Sequence, residues 1–240
     1  MSYDTTVEGY LKRCKKLRDG GSLQELLYAA LELRMGVEAR LAESVQAVDG
    51  LTVAQRRQWK VVHLAKTLQA VNWSKGDDIL VMLCHLKDPD ETLELHYFPV
   101  SSQLTEIVGR LGDFLHRNDR IVSDQAAVQR ELTTLVKEGY GQLSMANSGE
   151  LLGLPQLDPK TGSLNVILKF SSEDSRAAVL QNAFTCRRKY SINWFTITPV
   201  GNPTFYDAEP SATTADSTPP EAQATLSGAG PLAPDPTINR

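Results

Sequence analysis

Along the first 139 residues apolar side chains return every three or four positions, interrupted by one stretch in which they alternate. The first spacing predicts helices and the second predicts strands. A first helix covers about residues 3–18 and stops at "DGG", where Gly20 and Gly21 tolerate the left-handed backbone that ends helices. Ser22 opens a long helix, and Glu25 three positions on completes a capping box. Leu23, Leu27, Ala30, Val37, Leu41, Val45 and Val48 form its expected buried stripe. "DG" at 49–50 closes it. Thr52 caps a second long helix, running through Trp59, Val62, Ala65 and Leu68 towards Trp73.

The period then changes. "DILVMLCHL" and "TLELHYFPV" flank "KDPDE", two strand-like runs around turn chemistry, which predicts a β-hairpin. In the second run Leu93, Leu95 and Tyr97 alternate with Glu94, His96 and Phe98. Ser101 or Ser102 starts another helix, with a stripe of Leu104, Ile107, Val108, Leu111 and Leu115. Gly109, Gly112 and His116 lie on an adjoining face. Interior glycines cost about 1 kcal/mol each relative to alanine, so a close backbone approach is expected there. Ser123 caps a last helix that ends at Gly139.

Residues 140–203 have β character. "GSLNVILKFSS" and "YSINWFTITPV" read as strands, and "SSEDSRAAVLQNAF" between them as a short helix capped by Ser172. That order suits a parallel pair. Residues 204–240, rich in Pro, Ala, Thr and Ser and nearly free of aromatics, are expected to be disordered. The fold class is therefore α+β: a helical bundle with an inserted hairpin over 1–139, a small β-rich domain over 140–203, and a tail over 204–240.

Charge sharpens this picture. The whole net charge of −4 resides in residues 201–240, where Asp207, Glu209, Asp216, Glu221 and Asp235 face only Arg240. The first 200 residues are neutral, so any affinity for nucleic acid must rest on local patches. Three scattered cysteines without a CxxC suit reduced thiols in a cytoplasmic protein. No run of about 18 apolar residues occurs, so no membrane span is expected and a membrane is not expected as a partner. P-loop, GxGxxG, HExxH and GxSxG patterns are missing from the sequence, and no cofactor is expected.

Four groups of residues carry candidate chemistry. Arg34 and Glu38 stand four apart on the long helix. They form either a surface ion pair worth about 0.3–0.5 kcal/mol or a polar seam against the helix that ends in His116. Arg40 and Glu43 are expected further outside. Arg110 and His116 form a second group. Six helical steps rotate about 240° and rise about 9 Å, so the two do not share a face. A solvated Arg110 and a His116 placed at the helix C-terminus account for them without catalysis. The basic run Lys12, Arg13, Lys15, Lys16 and Arg18 reads as a phosphate-binding strip or as the solvated face of a terminal helix. The shorter "CRRK" precedes Tyr190, Trp194 and Phe195, aromatics that strand alternation explains as core and edge positions. His63, His85 and His96 lack metal-ligand spacing, although His85 and His96 lie on opposed hairpin strands near Cys84.

Glu32-Leu33-Arg34 with Val37-Glu38, the Trp59 helix, and "LGDFLH" at 111–116 resemble helices of uncharacterised bacterial proteins with ELRxxIE and LGxxLH patterns. The arrangement is also similar to HEPN domains, helical bundles found in toxins and phage-defence systems. Leu111 stands where many active HEPN domains have a polar residue after the arginine. The resemblance covers about residues 1–120. It implies a homodimer that cleaves RNA without a metal. The 2′-hydroxyl would attack the adjacent phosphate, with His116 as general acid or base and Arg110 stabilising phosphate charge. Arg34 and Glu38 would position the helix carrying His116. Some of the similar bacterial proteins carry paired cysteines towards their C-terminus, which this chain lacks, so no metal site is expected. Taken together, the sequence favours a non-catalytic helical binding module of a bacterial cytosolic protein, in stress or phage defence, with the β-rich region as its recognition part. Its partner is a protein or RNA. The alternative is the HEPN-like ribonuclease.

Overall fold

The computed structural model of the chain describes residues 3–71, 77–85, 92–116, 120–157, 164–170, 176 and 190–195. The first helix, α1 (Val7–Gly20), begins where the Thr6 side chain accepts from the Gly9 N–H, and it ends at Gly21 with φ of 74°. The second, α2 (Leu23–Gln46), carries the expected capping box, with Ser22 and Glu25 each accepting from the other's backbone N–H. This helix is the centre of the bundle. It packs against α1, α4 (Val61–Val71), α5 (Ser102–Leu115) and α7 (Gln125–Ser148).

Because several helices cover α2, its buried face is broader than a single stripe. Leu26, Ala29, Ala30, Leu33, Val37, Leu41 and Val45 are all buried, whereas Leu23 and Leu27 are half-buried at its edge. They meet Leu104, Ile107, Val108 and Leu111 of α5 and Val128, Leu132, Leu135, Val136 and Leu143 of α7 in one apolar core.

Three helix boundaries differ from expectation. Thr52 does form a capping box with Gln55, but it opens only the four-residue α3 (Val53–Arg56). The Arg56 guanidinium donates to the carbonyls of Val45, Gln46, Val48 and Leu51, tying this turn to the end of α2. The chain restarts as α4, with Val61, Leu64 and Leu68 buried and Trp59 and Val62 exposed. Asp124, not Ser123, caps α7, accepting from the Ala127 N–H, while Ser123 ends the short α6 (Arg120–Ser123). The expected stop at Gly139 falls inside α7, which runs on to Ser148.

Gly139 is present because helices crowd it. A Cβ there would lie 2.7 Å from Leu33 Cδ2 and 3.1 Å from Ile107 Cγ2. The close approach expected at Gly109 and Gly112 is not found. Open space surrounds Gly109, and a Cβ at Gly112 would meet only the tip of Arg34, 3.5 Å away.

The hairpin follows the alternation. Strand β1 (Ile79–His85) pairs antiparallel with β2 (Thr92–Tyr97), with Leu80 opposite Tyr97 and Met82 opposite Leu95. The turn at "KDPDE" lies outside the described residues. Strand β5 (Tyr190–Phe195) joins the other edge of β1, antiparallel, giving the order β2-β1-β5. The parallel pair expected within 140–203 therefore does not form among the described residues. "YSINWF" pairs with the hairpin instead. "GSLNVILKF" contributes only β4 (Leu164–Asn165), paired with β3 (Gln156–Leu157), and an isolated bridge between Leu151 and Leu168. Of the helix expected at "SSEDSRAAVLQNAF" only Arg176 is described, and the expected tail lies outside the described residues.

Leu80, Met82, Cys84, Leu95 and Tyr97 from the sheet gather with Leu151 and Leu154 into a second apolar cluster. No helix among the described residues is long and apolar enough to cross a membrane.

Candidate functional site

The Arg34–Glu38 pair lies along the seam between α2 and α5. Arg34 Nε donates to Glu38 Oε1 at 3.2 Å, with the side chains 30% and 18% exposed. Its guanidinium lies over the bare backbone of Gly112, where the missing side chain leaves room for it. The pair is thus half-sheltered at a helix-helix boundary. No hydrogen bond or ion pair joins Arg34 to His116.

Arg110 and His116 sit on the same helix, each exposed, and each with a local role. Arg110 Nη2 is 3.1 Å from Glu131 Oε1 on α7. His116 is the C-cap of α5, and its backbone N–H donates to the Gly112 carbonyl at 3.2 Å. The geometry brings Arg110 to a carboxylate on a neighbouring helix and leaves His116 at a helix terminus.

The basic run divides by residue type. Arg13 Nε donates to Glu32 Oε2 at 2.9 Å, and its guanidinium stacks over the Tyr3 and Tyr10 rings. Arg18 pairs with Asp19 and covers the Tyr140 ring. Lys12, Lys15 and Lys16 are exposed. Cys14, in their midst, points into the core, and burial pushes its thiol up to about 12. Arginine can lie flat on aromatic faces while lysine keeps its hydration, which accounts for the division. "CRRK" lies outside the described residues.

The hairpin register separates the two histidines. His85 lies opposite Thr92 and His96 opposite Val81, so they stand four residues apart along the sheet, about 13 Å. Among the described residues no group of three His, Cys, Asp or Glu side chains could hold a metal. His96 instead belongs to a polar knot around Glu150. Glu150 Oε2 accepts from the His96 backbone N–H at 3.0 Å, and Oε1 from Arg176 Nη1 at 3.0 Å. Burial pushes the Glu150 carboxyl up. The hydrogen bonds from His96 and Arg176 outweigh that, so it titrates below its ordinary value of 4.5.

Two features were not anticipated. The first is Arg40, expected outside but only 2% exposed. Its Nε donates to the Ala146 carbonyl at 2.9 Å, and Nη1 to the Leu152 carbonyl at 3.1 Å and Ser44 Oγ at 3.0 Å. A buried guanidinium requires such a complete set of acceptors. Glu43 lies 3.8 Å from it, and burial, only partly offset by Arg40, raises the Glu43 carboxyl. The sequence held a signal, since Arg40 falls between Val37, Leu41 and Ser44 on the core side of α2.

The second feature is the outward side of α2. Tyr28, Leu31 and Met35 are exposed there at helical spacing. The same side continues through Ala39 and Ala42 into a groove of 480 Å³, walled also by Glu43, Ala47, Leu152 and Ile167. Helix α2 therefore carries apolar residues on two sides, and on the second Tyr28, Leu31 and Met35 remain exposed while Ala39 is partly buried.

No protein family matches this chain, and neither a curated protein nor a solved structure matches it.

Proposed function

We propose that the chain is a non-catalytic helical binding module that self-associates through the outward side of α2. The observation that carries this reading is the exposed series Tyr28, Leu31 and Met35 leading into a groove lined by alanines. Exposed apolar surface in a continuous strip marks contact sites. Bulky residues occupy one half of the strip and small residues the other. A second α2, antiparallel and centred on Met35, sets Tyr28 against Ala42 and Leu31 against Ala39 in both directions. Such a two-fold contact is the commonest way for a chain to pair with itself. The setting we infer, from the likeness to HEPN bundles, is a bacterial cytosolic protein of stress or phage defence.

Sedimentation of the full chain over a wide concentration range tests this. The expected result is a concentration-dependent dimer, lost in Leu31→Glu and Met35→Glu. A wild-type chain that stays monomeric throughout would remove self-association.

A second reading is a HEPN-like, metal-independent ribonuclease or RNA-binding toxin. It is favoured by the exposure of both Arg110 and His116 on α5. It must contend with Glu131, which competes with any phosphate for Arg110. RNA cleavage in EDTA, present in the wild type and absent in His116→Ala, would establish this reading. A wild type inert on several RNAs would end it.

A further inference from the structure

Between Asp49 and Asp77 the chain contains no aspartate or glutamate over 27 residues, yet it carries Arg56, Arg57, Lys60, Lys66 and Lys75. The first 200 residues are neutral only because these five cations offset an excess of acid elsewhere in them. The fold uses only Arg56 internally, on the carbonyls that end α2. Arg57, Lys60 and Lys66 are exposed, and among the described residues none of the three is ion-paired.

The same short region carries large exposed apolar residues. Val53 is 64% exposed, Trp59 64% and Val62 52%. Lys60 starts α4, since its carbonyl accepts from the His63 and Leu64 N–H groups. Val62 and Lys66 then lie four apart on the side of α4 opposite Val61, Leu64 and Leu68. Lys60 Nζ stands 5.5 Å from the centre of the Trp59 ring, so cation and aromatic occupy one place.

We propose that the α3–α4 surface docks on an anionic phospholipid bilayer. Tryptophan and aliphatic side chains enter the interface between headgroups and acyl chains, while lysine and arginine remain at the level of the phosphates. The unopposed cations supply the charge complement to an acidic leaflet. The exposed valines separate this partner from single-stranded nucleic acid, which would use the tryptophan face and the cations but gains nothing from Val53 and Val62. Surface docking needs no apolar run of spanning length, so the lack of one does not bear on it. It is also independent of the α2 strip, which lies on another helix.

The experiment is co-sedimentation of the full chain with vesicles of phosphatidylserine in phosphatidylcholine, beside vesicles of phosphatidylcholine alone. Binding is expected only to the acidic vesicles, weakening with added salt. Each cation near such a surface contributes about a factor of five, so Lys60→Gln with Lys66→Gln should weaken binding roughly thirtyfold. Trp59→Ala should weaken it too, in a way that added salt does not mimic. All three residues are exposed, and an unchanged melting temperature confirms that each variant is folded. No binding by the wild type overturns the proposal. So does vesicle binding that the Trp59 and lysine variants leave intact. Binding to a single-stranded oligonucleotide but not to acidic vesicles would overturn it in favour of nucleic acid.

Discussion

Arg40 Nε donates a 2.9 Å hydrogen bond to the carbonyl of Ala146, joining the middle of α2 to the end of α7 across 106 positions of sequence. The same guanidinium reaches the Leu151 and Leu152 carbonyls just beyond. One side chain thus satisfies backbone acceptors at a helix end that no intrahelical donor can reach. Arg40→Met would leave those buried carbonyls unpaired, and a loss of about 3–5 kcal/mol is expected in urea unfolding. Arg40→Lys should recover only part, because an ammonium lacks the planar fork. A loss near zero for Arg40→Met would show that water replaces these contacts.

The Arg34–Glu38 pair provides a milder case. Both side chains are half-sheltered over Gly112, so their coupling should exceed the 0.3–0.5 kcal/mol of an exposed helical pair and reach about 1 kcal/mol. A double-mutant cycle with Arg34→Ala and Glu38→Ala measures it. Coupling below about 0.5 kcal/mol would make this an ordinary surface pair.

Two glycines should respond in opposite directions. Gly109 lies in an exposed helix interior with open space where a Cβ would be. Gly109→Ala is expected to raise stability by about 0.5–1 kcal/mol. At Gly139 the new methyl would meet Leu33 and Ile107 at 2.7 and 3.1 Å. Gly139→Ala should lower stability by about 1–3 kcal/mol despite its better helix propensity. Thermal melts of the two variants side by side decide the matter.

Glu150 makes stability depend on acid. Its folded carboxyl lies below the ordinary 4.5, so its contribution is complete above that value. The contribution is lost as pH falls through the lower folded value, because protonation removes an acceptor from the His96 N–H and Arg176. Glu150→Gln should flatten this part of the profile of unfolding free energy against pH. An unchanged acid limb would assign the dependence to other carboxylates.

Burial holds the Cys14 thiol at about 12 and the Cys84 thiol at about 11. Thiolate chemistry at neutral pH is therefore suppressed at both. In a Cys186→Ser variant, a thiol reagent should react only as the protein unfolds. Rapid labelling of the native variant would contradict the burial of these two side chains.

Local chemistry made much of this fold legible. The capping box of Ser22 and Glu25, the serine cap at 101–102 and the hairpin itself each depend on residues close in sequence. The features that escaped depend on distant contacts. Gly139 reads as a stop because glycine weakens helices, and only the crossing with α2 and α5 shows why it is tolerated. Trp59 reads as part of one long helix opened by Thr52, because no proline or glycine interrupts the run between them. The chain instead restarts as α4 after Lys60 and turns Val61, Leu64 and Leu68 inward, leaving Trp59 exposed. The pairing of "YSINWF" with β1 joins positions too far apart for periodicity to reveal. For the candidate site, sequence spacing identified Arg34 with Glu38 but placed Arg40 on the wrong side, since a charged residue is rarely expected among buried ones. The apolar series Tyr28, Leu31, Met35, Ala39 and Ala42 was readable and was obscured by the larger stripe beside it.

The span bridged by Arg40 also orders events during synthesis. Translation delivers α2 long before the carbonyls of Ala146, Leu151 and Leu152 exist. Until then the guanidinium has only Ser44 and Glu43 of its own helix as partners, and its remaining N–H groups keep their hydration. The packing around Arg40 is therefore completed only by the end of α7 and the residues that follow it. A nascent chain released before position 152 would carry a partly solvated arginine in the middle of its main helix.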